Sequence, residues 1–302
     1  MAENADPAQP SRTAASQSQT ARPAELEDWL NARIYHPLAR RLALALRGTF
    51  VTPNLLSAAG GLIVVLAAWF YASADGMALT GLAFGLHLGW HVLDGADGDL
   101  ARLTGTASRT GEIVDGICDY ASHVVLYLTL SWIASHQIGP IAWVIGPAAG
   151  FARIPQAVFY ESQRRQYQFW VYKIEWLRTS GKTAENGAGG AGSAAPIEAL
   201  ATGYTRFGAL FTPYASRIDA LFAEADKKQR DTLRGLVKHH YRPVMRTITP
   251  LSSNYRTLAI GFSMLAGSPI YAFVFELVLL TIWLGWSMWV ARQACARIIA
   301  QD

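Results

Sequence analysis

Four aspartates within residues 94–119 are the side chains best suited to chemistry in this chain. Asp94 and Asp97 are three residues apart, so on a helix both project from one face. Asp115 and Asp119 are four apart and share a face in the same way. Two helices joined by a short turn would bring all four carboxylates together, where cations between them would relieve their repulsion. Such oxygen ligands suit Mg²⁺ or Mn²⁺, and two divalent ions would balance the charge.

Small residues and an arginine complete a longer pattern, Asp-x-x-Asp-Gly-x-x-Ala-Arg-x8-Gly-x3-Asp-x3-Asp. Its fixed places are filled by Asp94, Asp97, Gly98, Ala101, Arg102, Gly111, Asp115 and Asp119. The pattern resembles the signature of the CDP-alcohol phosphotransferase family, integral membrane enzymes that make phospholipids and related phosphodiesters. Eight fixed positions make a far more specific signal than a lone glycine-rich motif.

The resemblance implies a role for each motif residue. Asp94, Asp97 and Asp115 would be metal ligands, and Asp119 the general base with a possible share in metal binding. The CDP moiety would be bound by the remaining motif residues, Gly98, Ala101, Arg102 and Gly111. Helix packing through small residues explains the two glycines equally well. The resemblance also implies a homodimer.

Composition indicates a membrane protein. Of 302 residues, 51% are hydrophobic and only 16% are charged, against roughly 25% charged residues in soluble domains. The net charge of +4 lies outside the apolar segments, which favours an anionic membrane surface or anionic substrates and predicts no nucleic-acid partner. The two cysteines, Cys118 and Cys295, lie in or beside apolar segments and make no disulfide framework.

Apolar runs predict an all-α fold with six transmembrane helices. They lie at about 54–73, 77–98, 111–134, 139–160, 254–273 and 270–294. The connections near 73–77, 134–139 and 267–269 contain no Lys or Arg, so the basic remainder of the chain is predicted to face the cytoplasm. This orientation places all four aspartates at the cytoplasmic ends of the second and third spans.

Three segments outside the spans have their own character. Residues 1–24 are polar and predict a disordered tail. Residues 25–50 predict an amphipathic juxtamembrane helix that lies in the interface or packs on the protein itself. Residues 51–302 would form the six-span domain, with a cytoplasmic insertion at about 161–253. Within that insertion, 187–195 is typical of a flexible linker, and helices are expected near 197–224 and 226–246.

Arginines and histidines outside the motif are weaker candidates. Arg153 and Arg256 fall toward the cytoplasmic ends of the fourth and fifth spans, where they would either bind a phosphorylated acceptor or extend toward the membrane surface. His123 lies one turn after Asp119 and would either orient it or bond to a backbone carbonyl. His87 and His91 lie deeper, where contacts between helices explain them better than metal binding.

These features predict an integral enzyme of a bacterial-type inner membrane, with its active site facing the cytoplasm. The donor would be CDP-diacylglycerol, the acceptor a polar alcohol such as inositol phosphate or glycerol phosphate, and CMP would be released. A second interpretation reverses the roles, with a CDP-linked headgroup transferred to a lipid alcohol. A divalent-cation transporter or membrane scaffold is the non-enzymatic alternative, although a transporter would place its ligands nearer the bilayer midplane.

Overall fold

The computed structural model describes residues 24–174 and 206–301, and this part of the chain is helical without any strand. The all-α prediction is therefore confirmed for these residues. In chain order the α-helices of the described part are α1 His36–Leu46, α2 Pro53–Ser73, α3 Met77–Thr104, α4 Arg109–Ile138, α5 Ala142–Tyr172, α6 Ala215–Glu224, α7 Lys227–Ile248, α8 Ser253–Leu265, α9 Ile270–Val274 and α10 Leu280–Ala300. The predicted tail, apart from residue 24, the 187–195 linker and the start of the 197–224 helix lie outside the described residues.

Capping residues fix where several helices begin. The Thr52 side chain accepts a hydrogen bond from the Leu55 backbone N–H at 3.2 Å, and Pro53 occupies the first turn of α2. Asp226 and Gln229 form a reciprocal capping box at the start of α7. These local signals explain why the observed starts lie within one residue of the predicted starts at 54 and 226.

Three stretches of the described residues are long and apolar enough to cross a membrane. They are Pro53–Ser73, Thr110–Tyr172 and Ile270–Ala300. The 63-residue middle stretch consists of α4 and α5 with a short 3-10 turn between them. Each of these two helices is roughly 45 Å long, more than the hydrocarbon thickness. These apolar stretches indicate an integral membrane protein, whereas the count of six spans stays a prediction.

Small residues let the helices around the motif approach closely. A Cβ on Gly61 of α2 would lie 3.3 Å from the Cys118 carbonyl oxygen of α4. A Cβ on Gly146 of α5 would lie only 1.9 Å from Ser131 Oγ of α4, a distance that no side chain tolerates. Glycine at these two positions therefore sets the spacing of α4 from both of its neighbours.

The N-terminal segment is helical, but its small residues face the protein. Ala39 and Ala43 of α1 are fully buried, and a Cβ on Gly95 of α3 would come within 3.1 Å of the Ala39 Cβ. Trp29 and Leu38, on the predicted apolar side, stay 66% and 43% exposed. This helix thus packs on α3 through its alanines, with Leu42 and Leu46 partly buried against the same cluster, while Leu38 stays exposed. Its insertion into a membrane interface stays a prediction.

The described part of the predicted insertion joins a second hydrophobic core. Helix α7 runs antiparallel to α10, with Trp283 Nε1 donating to the Thr247 carbonyl at 2.7 Å and His240 Nε2 lying 2.9 Å from Gln301 Oε1. Helix α5 extends to Tyr172, well past the predicted end of its span, and contributes the buried Trp170. Leu26, the described part of the insertion and α10 are thereby packed into one hydrophobic core together with the end of α5.

Candidate active site

The motif occupies two helices and the turn between them, as its spacing predicts. Helix α3 ends at Gly105, whose φ of 69° is left-handed and favours glycine. Helix α4 begins after Ser108, whose side chain accepts a hydrogen bond from the Gly111 backbone N–H at 3.1 Å. Asp94 and Asp97 therefore lie on the last turns of α3, and Asp115 and Asp119 on the first turns of α4.

The four carboxylates lie close enough to one another to interact electrostatically. The charge on Asp94 is influenced by Asp97, Asp115 and Asp119 together. Helix α2 contributes a residue that the sequence analysis missed: the hydroxyl of Ser57 is 2.5 Å from Asp97 Oδ2. Both Ser57 and Asp97 are buried, so this hydrogen bond fixes one carboxylate from a neighbouring helix.

A cavity of about 340 Å³ opens beside these carboxylates. Its walls include six motif residues, Asp97, Gly98, Ala101, Arg102, Gly111 and Asp115. The four residues predicted to bind the CDP moiety therefore line one cavity together with two of the predicted ligands. Asp94 and Asp119 are not among its lining residues.

The start of α2 and the α3–α4 turn form the rest of this cavity wall. They contribute Thr52, Pro53, Asn54, Ser57, Thr106, Ala107, Ser108 and Glu112. Asn54 and Ser57 were identifiable in principle, because they are polar, three residues apart and followed by an apolar run. From the sequence this segment is predicted only as a helix boundary.

The absence of a side chain at the two motif glycines keeps the cavity open. A Cβ on Gly98 would lie 3.4 Å from Arg102 Nη1, and one on Gly111 would lie 3.3 Å from Ser108 Oγ. Arg102 lines the cavity while its Nη2 donates to Asp99 Oδ1 at 2.5 Å. Its guanidinium is thus held at the cavity wall by a carboxylate from its own helix.

Asp119 contacts two cationic or polar side chains on the other side of the cluster. Arg153 Nη2 of α5 lies 3.6 Å from Asp119 Oδ2. His123 Nδ1 lies 3.1 Å from Asp119 Oδ1 and donates a hydrogen bond to the Asp119 main-chain carbonyl, 2.8 Å away. Asp119 Oδ1 itself is buried without a hydrogen bond of good geometry. An acceptor-only oxygen in this setting remains available for a proton or a cation.

The donor chemistry of the cluster fits a hard divalent ion. All four candidate ligands are carboxylates whose charges repel, and one of their oxygens, Asp119 Oδ1, is buried without a hydrogen-bond partner. Within residues 24–174 and 206–301, no three His, Cys, Asp or Glu side chains already form a group that could hold a metal ion.

The structure brings Arg153 to the carboxylates but not Arg256. Arg256 is 3% exposed and forms an ion pair with Glu276, its Nε lying 2.9 Å from the carboxylate. Its Nη2 also donates to Gln156 Oε1 at 3.1 Å. Arg256 therefore links α8 to α5 and to the π-helical turn Phe275–Leu279 between α9 and α10. Its predicted contact with an acceptor stays a prediction.

The deeper histidines connect helices. His91 Nε2 lies 3.0 Å from Thr257 Oγ1 of α8, and the His91 ring stacks on Tyr35 at 4.7 Å. His87 also reaches Thr257, at 3.5 Å. These contacts agree with the prediction of a role in helix packing.

The described part of the chain has three apolar stretches long enough to cross a membrane. An acidic cluster and a cavity lie where α3 ends and α4 begins. These features define an integral membrane protein with a polar site at one end of its helices. Residues 50–175 match the family model described as CDP-alcohol phosphatidyltransferase, so this part of the chain is a domain of that family. It contains α2 to α5 and all four motif aspartates. The family implies a transferase of phospholipid biosynthesis that moves a phosphoalcohol from a CDP-alcohol to an acceptor. No curated protein matches the chain at a significant level.

Proposed function

We propose that this chain transfers a substituted phosphate from CDP-diacylglycerol to a polar alcohol, such as inositol phosphate or glycerol phosphate, and releases CMP. The observation that carries this proposal is the cavity of about 340 Å³ that Asp97 and Asp115 share with the four residues predicted to bind the CDP moiety. The family supplies the reaction class. The choice of donor and acceptor is our inference.

Asp119 is proposed as the general base. The acceptor hydroxyl would lose its proton to this carboxylate while its oxygen attacks the phosphorus that carries the diacylglycerol. A new phosphorus–oxygen bond forms, the diphosphate bond breaks, and CMP leaves with the bridging oxygen. Arg153, 3.6 Å from Asp119, would hold the carboxylate in place and keep positive charge near the attacked phosphate.

Asp94, Asp97 and Asp115, with a share from Asp119, would hold one or two Mg²⁺ or Mn²⁺ ions. When bound, these ions would neutralise the diphosphate and stabilise the charge that develops on CMP. The carboxylates of the chain supply hard oxygen ligands in numbers that match the charge of two divalent ions. Dimerisation is proposed from the family resemblance alone.

Purified protein in lipid nanodiscs provides the test. CDP-diacylglycerol would be supplied with a panel of alcohols, CMP release would be followed in the presence of Mg²⁺ or a chelator, and lipid products would be weighed by mass spectrometry. We expect CMP release that depends on both the divalent ion and one polar acceptor. Transfer from a CDP-linked headgroup to diacylglycerol alone would refute the proposed donor. Ion transport without CMP release would refute the enzyme.

Ser57→Ala is expected to raise the divalent-ion concentration needed for half-maximal activity by about 10-fold or more. The Ser57 hydroxyl orients Asp97, and removing such a partner of a metal ligand typically costs 10- to 100-fold. Ser57→Thr keeps the hydroxyl and should behave like the native protein. Ser131→Ala is a matched control, because Ser131 is equally buried but bonds only to a carbonyl of its own helix. Mn²⁺ binding measured by electron paramagnetic resonance would give the affinity directly, and an unchanged value would contradict the role.

The chain is proposed to lie in a bacterial-type inner membrane with its carboxylates facing the cytoplasm. In the structure the turns near 138 and 267 meet at one end, where Gln137 Nε2 donates to the Gly267 carbonyl at 2.9 Å. We expect single cysteines at Ser73 or Gln137, in a protein without Cys118 and Cys295, to react with impermeant maleimide only from outside. A cysteine at Lys228 in α7 should react only after the membrane is opened. The reversed pattern of labelling would place the carboxylates on the outer face of the membrane and would contradict the proposed orientation.

A further inference from the structure

An apolar groove of about 260 Å³ runs between α4 and α5. Val124 and Leu128 line it from α4, and Phe151 lines it from α5. These three side chains are 57%, 44% and 70% exposed. On helices that belong to an apolar stretch long enough to cross a membrane, side chains exposed in this way would face lipid. The groove thus opens sideways toward the bilayer.

A glycine and a proline of α5 shape this groove. Gly150 packs closely on the Tyr127 ring, since a Cβ at this position would lie 3.3 Å from that ring. Pro147 lies inside α5 and also lines the groove. Only Ala148 and Ala149 stand between them, so this stretch of α5 carries small side chains up to Phe151.

One end of the groove is polar and adjoins the candidate base. Arg153 and His123 line that end, and both contact Asp119, at 3.6 and 3.1 Å. The groove then extends along α4 from Tyr120 to Leu128, roughly 12 Å along the helix axis. It therefore leads away from the carboxylates and deeper into the apolar stretch.

We propose that this groove binds one acyl chain of the CDP-diacylglycerol donor. A positive side chain at one end and apolar walls along the rest match an amphiphile with an anionic phosphate and a hydrocarbon tail. With the phosphate near Asp119 and Arg153, a chain attached to it would follow α4 toward the bilayer interior. This inference rests on the proposed function, because it requires the diacylglycerol to be carried by the donor.

The test is a donor chain-length series on Val124→Trp, which fills the groove. Val144→Trp is the matched control, because Val144 is a similarly exposed valine of α5, 63% exposed, that does not line the groove. Dioleoyl and dihexanoyl CDP-diacylglycerol would be compared by kcat/KM. Excluding about two methylene groups from the groove should reduce the preference for the long-chain donor roughly tenfold. The control should keep the native preference.

A second measurement detects binding of the acyl chain in the groove and does not depend on catalysis. A CDP-diacylglycerol with a diazirine in one acyl chain should crosslink to peptides containing 124–128 or 147–154, and Val124→Trp should remove these crosslinks. An unchanged chain-length preference, or crosslinks elsewhere, would overturn the proposal. The proposal would also be overturned if the acyl chain of a lipid-alcohol acceptor, and not that of the donor, set the chain-length preference. It would be overturned as well if the native protein were a dimer and Val124→Trp a monomer, because a second copy would then cover the groove. Absence of CMP release from any CDP-diacylglycerol by the native protein would instead refute the proposed function, while the crosslink would still report on the groove.

Discussion

Replacing Asp94, Asp97 or Asp115 by asparagine is expected to reduce CMP release on the order of 10³-fold or more. Each substitution keeps the size of the side chain but removes one of the charges on which binding of a hard divalent ion depends. Loss of several kcal/mol of charge stabilisation in the transition state corresponds to a rate loss of this order. The Asp97 variant is the most informative, because its amide oxygen can still accept the hydrogen bond from Ser57. Its defect would therefore report on charge more than on packing.

The measurement is the initial rate of CMP release over a titration of Mg²⁺ and of Mn²⁺, together with the thermal unfolding midpoint of each variant. Asp75→Asn is the control, because Asp75 is an exposed carboxylate in the connection between α2 and α3, away from the cavity. It should match the native protein. Full turnover in the presence of a chelator, or in any of the three motif variants, would contradict metal ligation by these aspartates.

Local signals allowed much of the helix pattern to be predicted. The run at 54–73 corresponds to α2 at Pro53–Ser73, because Thr52 and Pro53 mark its start and a short connection with Asp75 and Gly76 follows its end. The predicted helix at 226–246 corresponds to α7 at Lys227–Ile248, which Asp226 caps. The motif residues also lie on two helices joined by a short turn, as their spacing implies. Periodicity and capping depend on residues that are close together in the chain, so both can be predicted from the sequence.

Helix ends that depend on tertiary packing are harder to predict from the sequence. The fourth apolar run was placed at 139–160, but α5 continues to Tyr172. Its last turns are rich in polar and aromatic residues, and they are helical because they pack into the second core, where Tyr167 and Trp170 are buried. Hydropathy alone ends the helix where its apolar stretch ends. The packing partners, α7 and α10, lie more than 50 residues further along the chain.

The two candidate arginines show the same limit at the site. Arg153 and Arg256 look alike in the sequence, since each is the single Lys or Arg in its predicted apolar run, 139–160 or 254–273. In the structure Arg153 reaches Asp119, whereas Arg256 is paired with Glu276 across the bend that ends α8. A carboxylate within reach decides the environment of each arginine, and that proximity depends on helix packing. Ser57 was missed for the same reason, because its contact with Asp97 joins residues 40 positions apart.

Asp119→Asn is expected to separate catalysis from donor binding. Asparagine keeps an oxygen that can face Arg153 but cannot take a proton from the acceptor hydroxyl. If Asp119 is mainly the base, the rate should fall about 10²- to 10⁴-fold while binding of the donor and of Mg²⁺ persists. Its surroundings support this division, because Asp119 contacts Arg153 and His123 and does not line the cavity that Asp97 and Asp115 share.

Single-turnover rates and calorimetric titration of CDP-diacylglycerol in the presence of Mg²⁺ would be measured on the same preparation. Asp115→Asn provides the contrast, since loss of a ligand in the cavity wall should weaken donor binding and slow the rate together. A normal affinity for the donor with a slow chemical step would identify Asp119 as the base. Should donor and Mg²⁺ binding both collapse in Asp119→Asn, the carboxylate is principally a metal ligand, and the proton must be taken by another group.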